Sequence, residues 1–583
     1  MAIIKQAVLA VPLALMTYFY RDSDLLGISP VVDTMSGAVR GKTGISRNGR
    51  VFMEYLGIPF ASPPVGDLRF EPPQPPEPWT EIRQAMNYGS QCLQIEFFTS
   101  KIVGQEDCLY INVFRPVIRQ TNEFFDAVGP RLLPVMVFIH GGYFMAGSSN
   151  RYRPEYFMDE DVVLITFNYR VGSFGFLNTG DEFLRGNQGL KDQVCALKWV
   201  QNNIRNFGGD PNRVTIFGSS AGGASVHYHM LSKMSKGLFS RAISQSGTAI
   251  KIWSFARHPR EQAKRLAATL GCPWDKPQSM VDCFKSMDAL KIVQTHLEYR
   301  TVLLHPLAIY APSIEAVLDE NTFLTDEPLS LMKNGGIASH VPWLTGVNSE
   351  DGLIYSARII RNRRLISDIE DNWFETAPKL LGYVDNDKKE LTREITEYYF
   401  GHDPAVDFNW AFQNFTNLFS DRLYNTATHI AIQEHSKSSP VYPYYYNYRG
   451  KFSFSNLLLL TGQLPPIVDI GITLTKNFLR RISSVPKINL GVCHGDEILM
   501  LFHLGVISNV HKAHRDYEMS QSVVKLWADF AYGENRLFFR NVTLDPVSPH
   551  AFEIPYLKID TNAAVISEPF ADRARFGESL RLF

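Results

Sequence analysis

The chain has 583 residues, of which 45% are hydrophobic, 12% aromatic and 20% charged, as is typical of a folded, soluble protein. Its formal net charge of −1 gives no basic footprint for nucleic acid or for an anionic membrane, so neither is an expected partner. Length alone favours three or four domains, but no shift in composition marks a boundary. We therefore expect one large domain over residues 21–583.

The first twenty residues predict a secretory signal peptide. Lys5 precedes an apolar run over residues 7–16 that is too short to span a bilayer. No clear small-x-small cleavage site follows, and a buried N-terminal strand is the alternative. Two glycosylation sequons, at Asn414 and Asn541, agree with secretion. No other segment has transmembrane length, so no membrane anchor is predicted.

Four of the six cysteines bracket short polar stretches, Cys92 with Cys108 and Cys272 with Cys283. This spacing predicts two local disulfides, as in secreted proteins. Cys195 lies in an amphipathic run and is expected to be a small core residue. The cysteines and histidines show no zinc spacing, so no metal is predicted.

Buried strands and helices alternate through the first half of the chain. Residues 134–139 and 162–167 are continuous apolar runs, typical of strands buried on both faces. Between Gly189 and Phe207 the apolar residues recur at helical spacing. The alternation predicts an α/β fold with a mostly parallel sheet flanked by helices. His140-Gly-Gly142 and other polar or glycine-marked strand ends then fall on its ligand-binding edge.

The stretch Gly218-Ser-Ser-Ala-Gly222 follows an apolar strand and precedes a helix-compatible segment. Strand, sharp turn and helix with Gly-x-Ser-x-Gly at the turn predict a nucleophile elbow. The pattern alone also fits an ordinary loop, but the flanking strand and helix favour the elbow. Ser220 is then the candidate nucleophile.

Six stretches together carry a family resemblance. They are Gly57-Ile-Pro, Glu106-Asp-Cys-Leu-Tyr, His140-Gly-Gly, Gly186-Asn-Gln-Gly-Leu-Lys-Asp-Gln193, Gly218-Ser-Ser-Ala-Gly-Gly and Cys493-His-Gly-Asp-Glu497. The chain resembles the type-B carboxylesterases, the cholinesterase-like branch of the α/β-hydrolase fold, and looks most similar to arthropod secreted carboxylesterases. The resemblance implies a central sheet with long loop and helical insertions, and a monomer or homodimer.

The resemblance also assigns the partners of Ser220. The fold supplies its catalytic residues in the order Ser, Asp or Glu, His. The family places its acid immediately before a glycine, which selects Asp351, with Glu350 as the alternative. His494 matches the catalytic loop. His140, His227 and His229 are expected to be structural.

Further site residues follow from the same resemblance. It assigns the oxyanion-hole N–H donors to Gly142, Tyr143 and Ala221. A backbone donor tolerates a tyrosine side chain at position 143 provided that its φ is unstrained.

Three side chains near the predicted triad carry less specific assignments. Ser246 resembles an auxiliary serine, and Trp253 resembles a wall of the acyl pocket, although a plain core tryptophan fits nearly as well. Ser219 departs from the family, which often has Glu or Gln before the nucleophile. Its presence is expected to affect activity or pH dependence without removing a triad member.

The resulting expectation is a serine carboxylesterase that cleaves small to medium apolar esters without a metal or organic cofactor. A cholinesterase is disfavoured because residues 93–107 contain no tryptophan for a quaternary ammonium. A juvenile-hormone-specific esterase is disfavoured by Ser219. A catalytically weak or inactive adhesion or binding protein of the same fold is the main alternative, which an ester assay would distinguish.

Overall fold

The computed structural model describes residues 27–97, 99–118, 132–299, 308–360, 362–384, 387–401, 411–458, 489–505, 507–534, 536–549, 551 and 553–582. The predicted signal peptide over residues 1–20 lies outside these ranges. Within them, no helix combines the length and the apolar character needed to cross a bilayer.

The strands of the described residues vary from two to eleven residues in length. They are β1 Ile28–Thr34, β2 Gly37–Ile45, β3 Val51–Pro59, β4 Arg83–Gln84, β5 Gln94–Ile95, β6 Ile102–Val103, β7 Tyr110–Pro116, β8 Leu133–Ile139, β9 Val163–Phe167, β10 Gly209–Ser219, β11 Arg241–Gln245, β12 Trp343–Asn348, β13 Val441–Tyr446, β14 Leu537–Phe539, β15 Val542–Leu544, β16 Pro555–Ile559 and β17 Ala564–Ser567.

The α-helices of the described residues all follow β9 in the chain. They are α1 Gly172–Phe176, α2 Gln188–Asn203, α3 Ala221–Leu231, α4 Pro259–Leu270, α5 Pro277–Ser286, α6 Ala289–Glu298, α7 Pro328–Lys333, α8 Leu353–Ile359, α9 Arg363–Asp371, α10 Trp373–Leu381, α11 Lys388–Phe400, α12 Phe412–Ser420, α13 Thr426–Ser436, α14 Phe454–Leu458, α15 Ile498–Leu501, α16 Tyr517–Tyr532 and α17 Ala571–Ser579. A π-helical turn, Asp421–Asn425, joins α12 to α13. Short 3₁₀ turns are Gly66–Leu68, Ser149–Arg151, Phe157–Asp159, Ile204–Phe207 and Lys233–Ser235.

Thirteen strands form one sheet in the order β1-β2-β3-β7-β9-β8-β10-β11-β12-β13-β16-β17, with β4 paired to β2. Neighbours from β9 to β16 in this order are parallel, and the pairs towards both edges are antiparallel. The predicted mostly parallel sheet flanked by helices is confirmed. β8, β9 and β10 therefore end at one edge, as expected from their parallel directions.

The continuous apolar runs are explained by burial on both faces of the sheet. Val137 and Ile216 belong to the core on one face, whereas Phe138 and Phe217 belong to the core on the other. Successive strand side chains point to opposite faces, so a strand covered on both sides needs apolar residues at every position. The second core also contains Trp527 of α16. Burial of each such side chain contributes about 2 kcal/mol.

One predicted helix differs from the structure in its bounds. The helix predicted from Gly189 to Phe207 is α2 up to Asn203 and a 3₁₀ turn thereafter, a common way for an α-helix to tighten at its end. Gly208, with a φ of +79°, caps this turn, and β10 begins at Gly209.

Both predicted disulfides are confirmed, Cys92 with Cys108 and Cys272 with Cys283. Cys195 is a half-buried free cysteine packed against the core, as expected.

The two sequons differ in exposure, and glycosylation of either one stays a prediction. Asn541 is exposed between β14 and β15. Asn414 is half-buried in α12, and the hydroxyl of its sequon partner Thr416 donates to the Phe412 carbonyl at 2.9 Å.

Candidate active site

Ser220 lies at the sharp turn between β10 and α3. Its φ is +59° and its ψ −124°, and its N–H donates to the Gln245 carbonyl of β11 at 2.8 Å. The turn leaves no room for a side chain at Gly222, where a Cβ would lie 2.0 Å from the Ile139 carbonyl oxygen. The elbow glycines are therefore a steric requirement, because α3 starts against the end of β8.

Asp351 and His494 are in direct contact, although 143 residues separate them in sequence. The distance from His494 Nδ1 to Asp351 Oδ1 is 2.8 Å. Asp351 follows β12 and is fully buried, and its Oδ2 accepts from the Ser246 hydroxyl at 2.9 Å and the Asn348 N–H at 3.0 Å. Nδ1–H faces a carboxylate, so Nε2 of the neutral imidazole is the acceptor nitrogen. Nε2 is buried and has no hydrogen-bond partner within the described residues.

Glu350, the alternative acid, makes different contacts. Its carboxylate accepts from the Val492 N–H at 2.6 Å and from the Ser349 hydroxyl at 2.6 Å. Its backbone N–H donates to the Val492 carbonyl at 3.1 Å. Glu350 thus fastens the end of β12 to the segment that precedes His494.

Asn348 and Asp496 fix the loop that carries His494. The Asn348 amide donates to the Cys493 carbonyl at 2.8 Å and to Glu497 Oε2 at 2.6 Å. Asp496 accepts from the Cys493 N–H at 3.0 Å, and burial raises the pKa of its carboxyl to about 7. These bonds hold the backbone that leads into His494.

Ser219, the residue that departs from the family, points to a second buried carboxylate. Its hydroxyl donates to Glu497 Oε1 at 3.2 Å, as does the Gln245 side-chain amide at 3.2 Å. Burial raises the pKa of Glu497, whereas its hydrogen bond from Asn348 opposes the shift. Sequence reasoning gave no role to Glu497, although it lies in the stretch Cys493–Glu497 that carries part of the resemblance.

The glycine loop after β8 packs against the elbow. A Cβ placed on Gly141 would lie 3.0 Å from Ser220 Cβ, and Gly142 has a φ of +125°. Ala221 is the first residue of α3, whose first N–H groups have no partner inside the helix. The three residues predicted to donate to an oxyanion thus belong to the glycine loop and to the elbow helix beside Ser220.

Tyr143 does not meet the condition of an unstrained backbone. Its φ is +55°, in the left-handed region that non-glycine residues rarely adopt. The side chain is tied down at its tip, because the hydroxyl groups of Tyr143 and Tyr424 lie 2.8 Å apart. The tyrosine at this position therefore has a tertiary partner that sequence reasoning missed.

Trp253 and Tyr424 complete an aromatic cluster beside His494. The Trp253 ring meets the Tyr143 ring edge-on at 5.3 Å, and the Tyr424 ring lies 4.5 Å from the His494 imidazole. Trp253 Nε1 donates to the Leu423 carbonyl at 3.0 Å. Trp253 therefore lies beside the site as predicted, although its role as a pocket wall stays a prediction. No sequence pattern singled out Tyr424.

The three other histidines make packing contacts. His140 stacks on Tyr169 at 4.3 Å, and burial lowers its pKa to about 4. His227 Nε2 lies 2.7 Å from His435 Nε2, and His229 bonds to side chains on both of its ring nitrogens. Within the described residues, no group of three or more His, Cys, Asp or Glu side chains could hold a metal ion.

Comparison with known proteins places the chain in a family. Residues 28–576 match the model of the carboxylesterase family. A carboxylic ester hydrolase of Bombus ignitus is 40% identical over 560 residues, which cover 94% of this chain and 93% of that protein. Venom carboxylesterase-6 of Apis mellifera is 38% identical over 512 residues, with 86% and 85% covered.

A solved structure agrees with the fold. The crystal structure of juvenile hormone esterase from Manduca sexta, with OTFP covalently attached, superposes with a TM-score of 0.77. It is 25% identical and covers 95% of this chain and 99% of its own. The chain therefore belongs to the carboxylesterase family and is a carboxylic ester hydrolase.

Proposed function

We propose that the protein hydrolyses small to medium, apolar carboxylic esters with Ser220 as nucleophile, His494 as base and Asp351 as the orienting acid. The observation that carries the proposal is the 2.8 Å contact between His494 Nδ1 and Asp351 Oδ1. It occurs where β10, β11 and β12 lie side by side, and β10 ends in the elbow that bears Ser220.

The chemistry follows from these positions. Ser220 Oγ attacks the ester carbonyl carbon while its proton passes to His494 Nε2, the free acceptor of the ring. Asp351 stabilises the resulting imidazolium without taking the proton. The bond from carbon to the alcohol oxygen then breaks, and His494 gives its proton to the leaving alcohol. Water attacks the acyl group on Ser220 in the same way and releases the acid.

The tetrahedral intermediate carries a negative oxygen that needs fixed donors. We assign these to the backbone N–H groups of Gly142, Tyr143 and Ala221. Each donor of this kind contributes about 3 kcal/mol to stabilising the transition state. The proximity of Gly141 to Ser220 Cβ supports this assignment, because it brings the loop within reach of the reacting carbon.

The preference for apolar esters rests on the aromatic side chains at the site. Tyr424 is buried against His494, and the buried rings of Tyr143 and Trp253 pack beside Tyr424. Such surfaces favour hydrocarbon acyl or alkyl groups by removing them from water.

We also propose that the protein is secreted. Two disulfides support an oxidising compartment. The relative from Apis mellifera is named a venom carboxylesterase.

The test of the triad is Ser220→Ala, which we expect to abolish turnover of p-nitrophenyl esters and labelling by a serine-reactive phosphonate. The matched control is Ser244→Ala, since Ser244 is a buried serine of the neighbouring strand β11 and donates to the Gly223 carbonyl at 2.9 Å. The control should keep labelling. Full activity of Ser220→Ala would reject the assignment. Negligible wild-type rates across acetate to decanoate esters would favour a non-catalytic binding protein.

A further inference from the structure

Lys251 is a buried lysine close to the proposed site. Its side chain contacts the π-helical turn, where Nζ donates to the Tyr424 carbonyl at 2.6 Å and to the Thr428 hydroxyl at 3.0 Å. Among the described residues it forms no ion pair with a carboxylate. Burial lowers the pKa of its ammonium group to about 7, an effect that the nearby Asp351 opposes. Burying an amine is costly unless it is hydrogen-bonded, so these two bonds offset part of the cost of its burial.

The donors around the turn converge on two consecutive carbonyls. The Thr428 hydroxyl also donates to the Tyr424 carbonyl, at 2.9 Å, so that this oxygen accepts from two side chains. Trp253 Nε1 donates to the preceding carbonyl, that of Leu423. Lys251 and Trp253 belong to one short segment after β11. Because a π turn interrupts the regular helical ladder, side-chain donors of this kind define its geometry.

The π-helical turn places the side chain of Tyr424 between His494 and the glycine loop. The Tyr424 ring packs on the His494 imidazole, and its hydroxyl lies 2.8 Å from that of Tyr143. The backbone of Tyr143 has a φ of +55°, so the contact with Tyr424 supports a residue in a rarely adopted conformation. A contact chain therefore runs from Lys251 through Tyr424 to the base on one side and to the proposed oxyanion donor on the other.

We propose that Lys251 is a positioning residue for ester hydrolysis. By fixing the Tyr424 carbonyl, it sets the Tyr424 side chain that orients His494 and supports Tyr143. This inference rests on the proposed function, because it presumes the roles of His494 and Tyr143. It predicts that Lys251 affects turnover through geometry and leaves ester binding largely unchanged.

The test compares Lys251→Met, which keeps the stem but removes the donor, with the wild-type enzyme. Active sites are titrated with a chromogenic phosphonate, and kcat and KM are measured per titrated site on a p-nitrophenyl ester. We expect kcat to fall about tenfold or more and KM to stay within about threefold, since small misplacements of catalytic groups reduce turnover strongly. Lys251→Gln retains an uncharged N–H donor and should keep more of the activity.

A double-mutant cycle tests whether Lys251 acts through Tyr424. Tyr424→Leu, which removes both the ring and the hydroxyl, should also lower kcat, and adding Lys251→Met to it should lower kcat by much less than Lys251→Met does in the wild-type enzyme. Effects that multiply fully would overturn the proposal. So would a wild-type kcat per titrated site in Lys251→Met.

Val200→Ala, a core variant of α2, shows whether a loss of stability alone changes turnover. It should lower Tm and leave kcat per titrated site unchanged. If Lys251→Met does not fold, the kcat values of Lys251→Gln and Thr428→Val test the proposal instead. Thr428→Val removes the second donor to the same carbonyl, and unchanged kcat in both variants would reject the proposal. Failure of the proposed function is recognised separately, because the wild-type Ser220 would then resist titration.

Discussion

Ser246 and Asn348 define the environment of Asp351, because together they occupy its second carboxylate oxygen. With Oδ2 held by two donors, Oδ1 is left to His494. A fully buried carboxylate requires such bonds, since an uncompensated charge in the interior is strongly destabilising. The auxiliary serine of the family resemblance thus has a physical role in this structure, which is to hold the carboxylate in place.

At the scale of single residues, Gly142→Ala tests the proposed oxyanion loop. A Cβ at Gly142 would lie 1.9 Å from the Ala146 carbonyl oxygen, so the loop has to move. We expect kcat to fall by about a hundredfold or more, the loss seen when one oxyanion donor is removed.

The control for this variant is Gly237→Ala. Gly237 also has a positive φ, +81°, but a Cβ there would meet no atom within 4 Å. Gly237→Ala should cost about 1 kcal/mol of backbone strain and leave kcat unchanged. Equal kcat values in the two variants would contradict the assigned role of Gly142. Initial rates per titrated site provide the measurement.

At the scale of elements, the helix α3 that follows the elbow packs into the interior through two buried histidines, His227 and His229, which do not take up protons easily. Burial lowers the pKa of His229 on α3 and of His435 on α13 to about 3. His229 contacts the Ser235 hydroxyl at 2.7 Å and the Gln193 side-chain oxygen at 2.8 Å. His227 pairs with His435 and stacks on Trp343 at 5.0 Å. The helix behind the nucleophile is therefore packed around neutral imidazoles.

This packing predicts a loss of stability in acid. Below the ordinary histidine pKa of about 6.5, the unfolded chain binds a proton at His229 that the folded chain does not bind. The free energy of unfolding should therefore fall by about 1.4 kcal/mol per pH unit for each such group as the pH decreases from 6.5 towards 3. Urea unfolding at pH 7, 6 and 5 measures this slope.

His229→Gln should flatten that slope, because glutamine does not titrate. The exposed His511 provides the control, and His511→Gln should leave the slope unchanged. An identical slope in the wild-type protein and in His229→Gln would show that His229 does not contribute to acid sensitivity.

At the scale of the whole molecule, segments far apart in sequence support one another around the site. The loop closed by Cys92 and Cys108 contains Gln94, whose side chain makes two hydrogen bonds to the backbone of Gly147. Gly147 follows the glycine loop after β8. The first disulfide therefore braces the loop to which we assign the oxyanion donors.

Replacing both Cys92 and Cys108 by serine should lower the free energy of unfolding by about 3 kcal/mol, because the cross-link restricts a loop of this length in the unfolded chain. The half-buried free cysteine provides a control, and Cys195→Ser should change stability by less than about 1 kcal/mol. Denaturant unfolding under non-reducing conditions measures both. Equal stabilities of the double variant and the wild-type protein would contradict a stabilising role of the cross-link.

The sequence by itself predicted those features that leave a local pattern. Residues 134–139 and 162–167 are strands because burial on both faces demands an unbroken apolar run, and the structure confirms them as β8 and β9. The elbow around Ser220 was identifiable because steric crowding admits only small residues there. The short loops between paired cysteines likewise predicted both disulfides.

Only the tertiary structure decided which side chains meet across long stretches of chain. It brings Asp351, and not its neighbour Glu350, to His494, because the end of β12 directs consecutive side chains to different partners. It gives Tyr143 a positive φ and joins it to Tyr424, which is 281 residues away. Lys251 and the π-helical turn have no periodic signature, since their geometry depends on hydrogen bonds that form only when the segment after β11 meets the turn.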